Sequence, residues 1–326
     1  MLTVPLAEST ALQVALQLGP LALVAALYLR RARTLTRSRH PVPPWRRASF
    51  LGGLALIAAS LTALGSVSDE LLYAHMIEHL LVGDLAALLL VLGITGPLIA
   101  PVLRIRLFER LRALTHPAVA FPLWAIDLYV WHLPALYEAA LRNAGVHALQ
   151  HAMFLACGVN MWMCLFGPLP MPSWFGNLGR LMYIVAVRLT GAVLGNLFLW
   201  SGTVFYPFYL HGDAAHHLSP LADQNLAGAV MMVEGSVLTL CLFCWLFLRA
   251  ARESEERQEL LDYASAHGLE LTEARAGRAV AAGRGADLRR RLVGPEPDPE
   301  PRSSEALLPA GPVSEGLSPP RPRAGS

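Results

Sequence analysis

Apolar residues gather in seven long stretches, near 10–29, 48–66, 71–99, 117–136, 147–166, 181–200 and 225–248, joined by short polar connections. A helix rising 1.5 Å per residue needs about 20 residues to cross roughly 30 Å of hydrocarbon, so each stretch predicts one membrane span. With 54% apolar and 15% charged residues, the chain is not an ordinary soluble domain. The expected fold is all-α, a polytopic bundle of seven transmembrane helices occupying residues 1–249. The first stretch is expected to stay as a helix rather than be cleaved as a signal, because no basic residue precedes it and a dense Arg run follows.

The connections between spans set the expected orientation, since basic loops stay cytoplasmic. Arg30, Arg31, Arg33, Arg37, Arg39, Arg46 and Arg47 follow the first span, Arg104, Arg106, Arg110 and Arg112 follow the third, and more Arg follows Arg249. The opposite connections carry only Arg142. The amino terminus is therefore expected outside and the carboxyl terminus in the cytoplasm. Residues 250–293 alternate acids and Arg with periodic Leu, predicting cytoplasmic helices. Residues 294–326 are Pro-rich and expected to be disordered. All 26 basic residues are Arg and the net charge is +2, neither of which points to a nucleic-acid partner; lipid is the expected surroundings.

That orientation places eight of the eleven histidines on one face. His75 and His79 stand four residues apart on span three with Glu78 beside them, so both rings leave one side of a helix a turn apart. His147 and His151 repeat the spacing at the start of span five, next to Gln150, and His132 sits where span four emerges, between Trp131 and Pro134. Buried imidazoles near lipid need partners, and five of them at the ends of three spans predict a metal site. Met231 and Glu234, three apart in the outer half of span seven, are possible further ligands. Imidazole with thioether or carboxylate suits copper best, with zinc or iron also accommodated. Asp223 and Gln224, at the start of span seven, are read as capping that helix or orienting a histidine. His211, His216 and His217 lie in the last outer loop and are more simply explained by loop polarity.

Inside the spans lie Asp84, Asp127, Arg188 and Glu234, and an unpaired charge there costs about 2.5–3.5 kcal/mol on insertion scales. An Asp84–Arg188 pair between spans three and six is expected, with Asp127 the competing acid and a proton path the functional alternative. Cys157, Cys164, Cys241 and Cys244 all fall within spans, so no outer disulfide framework is expected. Cys241 and Cys244 form a C-x-x-C that reads as two buried thiols. The chain shows no phosphate loop or nucleophile elbow, and it is not read as an enzyme.

Tyr73-Ala-His75-Met-Ile-Glu-His79, Thr115-His116-Pro117, Trp131-His132-Leu-Pro134-Ala-Leu-Tyr137, His147-x-x-x-His151 and Asp223-Gln224-x-x-Ala-Gly228 occur in this order. As a set they resemble CtaG, the multi-pass caa3-type cytochrome c oxidase assembly factors of the Bacillus type, over about residues 70–248. The resemblance implies a seven-span protein of the bacterial plasma membrane needed for making active haem–copper oxidase, with an oxidase subunit as partner and copper handled at the outer face. A haem-binding membrane protein, with histidines of facing helices as axial ligands, and a copper or proton transporter using Asp84 and Asp127 are the competing readings. A structural assembly scaffold is a fourth.

Overall fold

A computed structural model describes residues 6–38, 40–105, 112–172, 174–281 and 283–293. The chain divides into two units, Met1–Ala250 and Ala251–Ser326. Every regular element among the described residues is helical. The longer ones in the first unit are α1 (Leu6–Arg37), α2 (Pro44–Leu64), α3 (Leu72–Gly93), α4 (Gly96–Leu103), α5 (Pro117–Trp131), α6 (Pro134–Arg142), α7 (Ala144–Phe166), α8 (Asn177–Trp200) and α9 (Leu210–Ala215). The long helix α10 (Pro220–Ala266) crosses the boundary between the units.

Five of these helices, α2, α3, α7, α8 and α10, are long and apolar enough to cross a membrane, and α5 with α6 makes a sixth if the bent pair is one crossing. The apolar stretch at 10–29 lies in α1, which is not among them. The outward faces carry the apolar residues: on α8 and α10, Leu189, Val193, Val233, Val237, Leu240 and Phe247 are all exposed, while the polar side chains of the bundle are mostly inside. A soluble protein could not leave so much contiguous apolar surface in water.

Two expected spans are shorter than their apolar runs. The run at 117–136 breaks into α5 and α6, which meet at 71°. Pro134 lacks the N–H that would continue the helix, and its ring holds Leu133 extended at φ −65°, ψ 130°. His132 is thereby left at the end of α5, at φ −90°, ψ 0°. The run at 71–99 likewise ends at Gly93, because Ile94 and Thr95 are extended ahead of Pro97 and α4 starts anew. The end of α3 is capped from neighbouring helices: the Arg46 guanidinium donates to the Leu92 and Ile94 carbonyls at 3.0 and 2.8 Å, and the Tyr28 hydroxyl donates to that of Gly93 at 3.0 Å. Conversely, α10 continues well past the expected 225–248.

Backbone contact fixes how α3 meets α7. A Cβ on Gly158 of α7 would overlap the carbonyl oxygen of Gly83 on α3, so only glycine lets the two helices touch there. Gly83 lies in a π-helical stretch, Leu81–Ala86, immediately after His79. The close glycine crossing packs α7 against residues 81–93 of α3, and beyond it the histidine rings of the two helices meet. Ala87, Val91, Met161, Trp162, Ile184 and Leu246 build an apolar core toward the other end of the bundle, and Leu72, Met76, Tyr137, Phe198, Tyr206 and Met231 a second one around the histidines.

The second unit contains α11 (Glu273–Ala281) and α12 (Gly285–Val293), joined by an apolar cluster of Leu260, Val280 and Leu288. Residues 294–326, where a disordered Pro-rich tail is expected, lie outside the described residues, as do Arg39, Arg106 and Arg110 of the basic connections.

Candidate metal centre

The helix geometry gathers His75 and His79 from α3, His132 from the end of α5, and His147 and His151 from α7. Ring centroids are 4.4 Å apart for His75–His79, 5.3 Å for His75–His147, 5.1 Å for His79–His151 and 6.3 Å for His79–His132. One ring nitrogen each from His75, His79 and His147 lies within 4.8 Å of the others. That is close to twice a metal–imidazole bond of about 2.1 Å.

Backbone carbonyls orient the rings. His132 Nδ1 faces the Leu128 carbonyl at 2.6 Å, His151 Nδ1 the His147 carbonyl at 3.1 Å, and His75 Nδ1 the Ser68 carbonyl at 3.3 Å. A ring that donates from Nδ1 presents a lone pair at Nε2, the arrangement of a metal-binding histidine held by its surroundings. The Nε2 atoms of His75, His132 and His147, and both ring nitrogens of His79, are buried without a hydrogen-bond partner. Five such orphaned nitrogens in one place are costly unless something electrophilic binds them. Glu78, 2% exposed, adds a carboxylate 3.2 Å from His151 Nε2, leaving its Oε2 unpartnered. The donor set therefore fits a metal ion. Its residues can bind and orient one, and the carboxylate offsets its charge.

Tyrosines that the sequence reading passed over roof the cluster. Tyr137 from α6 stacks on Tyr206 at 4.0 Å, its hydroxyl is 3.2 Å from that of Tyr209, and all three rings are buried. The Tyr206 hydroxyl donates to the His132 carbonyl at 2.7 Å, tying the last outer loop to the end of α5. Tyr137 belongs to the quoted Trp131–Tyr137 motif, but its partners are about 70 residues away and no local pattern reveals them.

Other predicted residues are placed elsewhere. Asp223 does not cap its own helix; its carboxylate accepts from the Leu72 and Tyr73 amides at 2.7 and 2.9 Å and so caps α3, which carries His75 and His79. Gln224 braces the loop, accepting from the Phe205 amide at 2.9 Å and donating to the Thr203 carbonyl at 3.0 Å. His211, His216 and His217 are exposed and apart from the cluster, with His216 2.7 Å from the Glu70 carboxylate. Glu234 does not join the histidines, because the guanidinium of Arg188 holds it at 3.9 Å together with Asp84 at 3.7 Å. Asp127 lies beside Cys157 and Trp131 instead. Met231 faces the same small cavity as His79 and His132. Cys157, Cys164, Cys241 and Cys244 are free thiols; Cys164 is buried, but Cys241 and Cys244, expected to be buried, are both exposed on α10.

The outer loop also holds an acid pair. Asp213, 2% exposed, sits against Asp223, and burial first, then hydrogen bonding to and the charge of Asp223, push its carboxyl up to about 7. Between its ordinary value of 3.8 and about 7 the folded chain keeps a proton that the unfolded chain has lost, so stability falls with rising pH across that window and levels off above it. Asp213→Asn, which cannot titrate, is expected to flatten that slope and to melt higher than the parent near pH 8. A parallel pair of melting curves against pH would show the idea wrong.

Orphaned imidazoles inside one end of a bundle with apolar outward faces define a helical membrane protein with a candidate metal centre. The chain belongs to the cytochrome c oxidase caa3 assembly factor (Caa3_CtaG) family, whose profile matches residues 26–253. It is also similar to uncharacterized proteins of Mycobacterium bovis and Mycobacterium tuberculosis, each 26% identical over 272 residues that cover 76% of this chain and 41% of theirs. The chain thus spans less than half the length of the curated relatives it matches. No solved structure matches it.

Proposed function

We propose that this protein is a cytochrome c oxidase assembly factor of the bacterial plasma membrane that binds copper at its outer face and passes it to an oxidase subunit. The observation that carries the copper reading is the set of buried, unpartnered imidazole nitrogens from three helices, with the Glu78 carboxylate at their edge. Family membership supports the assembly role and the client. His75, His79 and His147 are the first ligands, and His132 and His151 hold, shield or exchange the ion. The reading includes no catalytic step: the ion is cargo, taken up and released by ligand exchange. Seven spans, with α1 and the bent α5–α6 pair each counted as a crossing, an external amino terminus and a cytoplasmic carboxyl terminus suit this role. They put the histidines on the face opposite the Arg-rich connections.

His79 and His132 share a chamber of about 70 Å3, which has no room for a porphyrin between them. That favours an ion over haem. Purified protein is expected to carry copper by elemental analysis and to show no Soret band; a Soret band with no copper would replace this reading with the haem one.

A further inference from the structure

The histidine cluster has two sides with different chemistry. On one side, His147 and His151 line a cavity together with Glu78, Asp69 and Ser68, whose donors are nitrogen and oxygen, and with the apolar Leu61, Ala144 and Ala148. Toward the membrane interior, His79 and His132 line the chamber of about 70 Å3 together with Met76 and Met231. Met76 comes from α3 and is 1% exposed; Met231 comes from α10 and is 8% exposed. Two thioethers from different helices thus share a small space with two imidazoles whose Nε2 atoms have no partner. A chamber of that size has room for an ion and a few waters.

Resting on the copper reading above, we propose that this inner chamber is a separate subsite selective for the cuprous ion, bound by the thioethers of Met76 and Met231 with the imidazoles of His79 and His132. Thioethers are soft, neutral donors that favour Cu(I) over Cu(II) and Zn(II), whereas the carboxylate-bearing outer set suits the divalent ions. A monovalent ion with neutral ligands is also the form least penalised in an apolar interior. His79 lines the chamber and also belongs to the His75–His79–His147 group, so an ion moves between the two by exchanging ligands, without any change of oxidation state. Asp84 also lines the chamber, its Oδ2 3.7 Å from the Arg188 guanidinium and its Oδ1 without a hydrogen-bond partner, so one carboxylate stands beside the soft donors.

The test uses the full-length protein in detergent, the Met76→Leu/Met231→Leu double variant and the His75→Ala/His147→Ala double variant. Leu is close in volume to Met and keeps the packing. Cu(I) affinity is measured under anaerobic conditions by competition with a chromophoric cuprous chelator, Zn(II) affinity by competition with a zinc dye, and the copper coordination by X-ray absorption. The methionine variant is expected to lose Cu(I) affinity by about 10–100-fold and its copper–sulfur scattering, while keeping Zn(II) affinity within about threefold. The outer-histidine variant is expected to lose Zn(II) affinity and keep the sulfur scattering. Unchanged Cu(I) affinity in a methionine variant that still binds Zn(II), or a parent spectrum without sulfur, overturns the subsite and leaves the histidine site standing. A parent protein that binds neither ion overturns both.

Discussion

Replacing His75 and His79 together by Ala is expected to strip the protein of its metal, lowering copper retained through purification at least 10–100-fold, and to leave the oxidase in the cell short of copper. The size of the effect follows from position. Two of the three ring nitrogens that lie within 4.8 Å of one another belong to these residues. Loss of even an outer-shell partner typically costs 10–100-fold in metal affinity, and loss of two ligands costs more. The fold is expected to survive, because the change removes buried, unpartnered polar atoms rather than apolar contacts. Elemental analysis of both proteins, beside oxidase activity in membranes from cells carrying each, is the check. A variant that keeps its copper would mean that His132, His147 and His151 suffice. One that loses copper yet matures the oxidase fully would make the protein a scaffold.

Arg188→Met is expected to be the most damaging single change to the fold, costing about 3–5 kcal/mol, as removal of one partner from a buried ion pair does. Arg188 lies between Asp84 of α3 and Glu234 of α10, at 3.7 and 3.9 Å, and its guanidinium packs on Gly235 so closely that a Cβ there would collide with it. Without Arg188, two carboxylates face each other inside the bundle with no counter-charge. The expected sign is a sharp fall in the yield of monodisperse protein and in its melting temperature. Adding Asp84→Asn and Glu234→Gln to Arg188→Met should recover most of both, because neutral amides need no cation. Failure of that rescue would mean that Arg188 acts through packing, and an Arg188→Met protein as stable as the parent would remove the ion cluster from the account.

Much of this was legible one residue at a time, but the pairings were not. Four-residue spacing put His75 with His79 and His147 with His151 on single helix faces, and the apolar run lengths predicted α2, α3, α7 and α8 with shifted ends. Pro134 was visible beside His132, yet the apolar run continued past it, so the 71° bend between α5 and α6 did not show in hydropathy. Asp223 is expected from the sequence to cap the helix it begins or to orient a histidine. It caps α3, 150 residues away in sequence, and no local signal separates a cap on one's own helix from a cap on another. The tyrosine roof and the methionine chamber were hidden for the same reason. Tyr137 with Tyr209, and Met76 with Met231, meet only through the tertiary packing of α6, the outer loop, α3 and α10. Glu234 was placed by depth alone, whereas Arg188 decides where its carboxylate goes.

The central claim is that imidazoles on two separate helices hold one ion, and a double-mutant cycle of metal affinity between His75 on α3 and His147 on α7 tests it directly. Their rings are 5.3 Å apart. If they share an ion, His75→Ala, His147→Ala and the pair will be non-additive, with a coupling of about 0.5–3 kcal/mol, since the second loss falls on a site already broken. Losses that simply add, or copper binding unaffected by either change, would contradict the account.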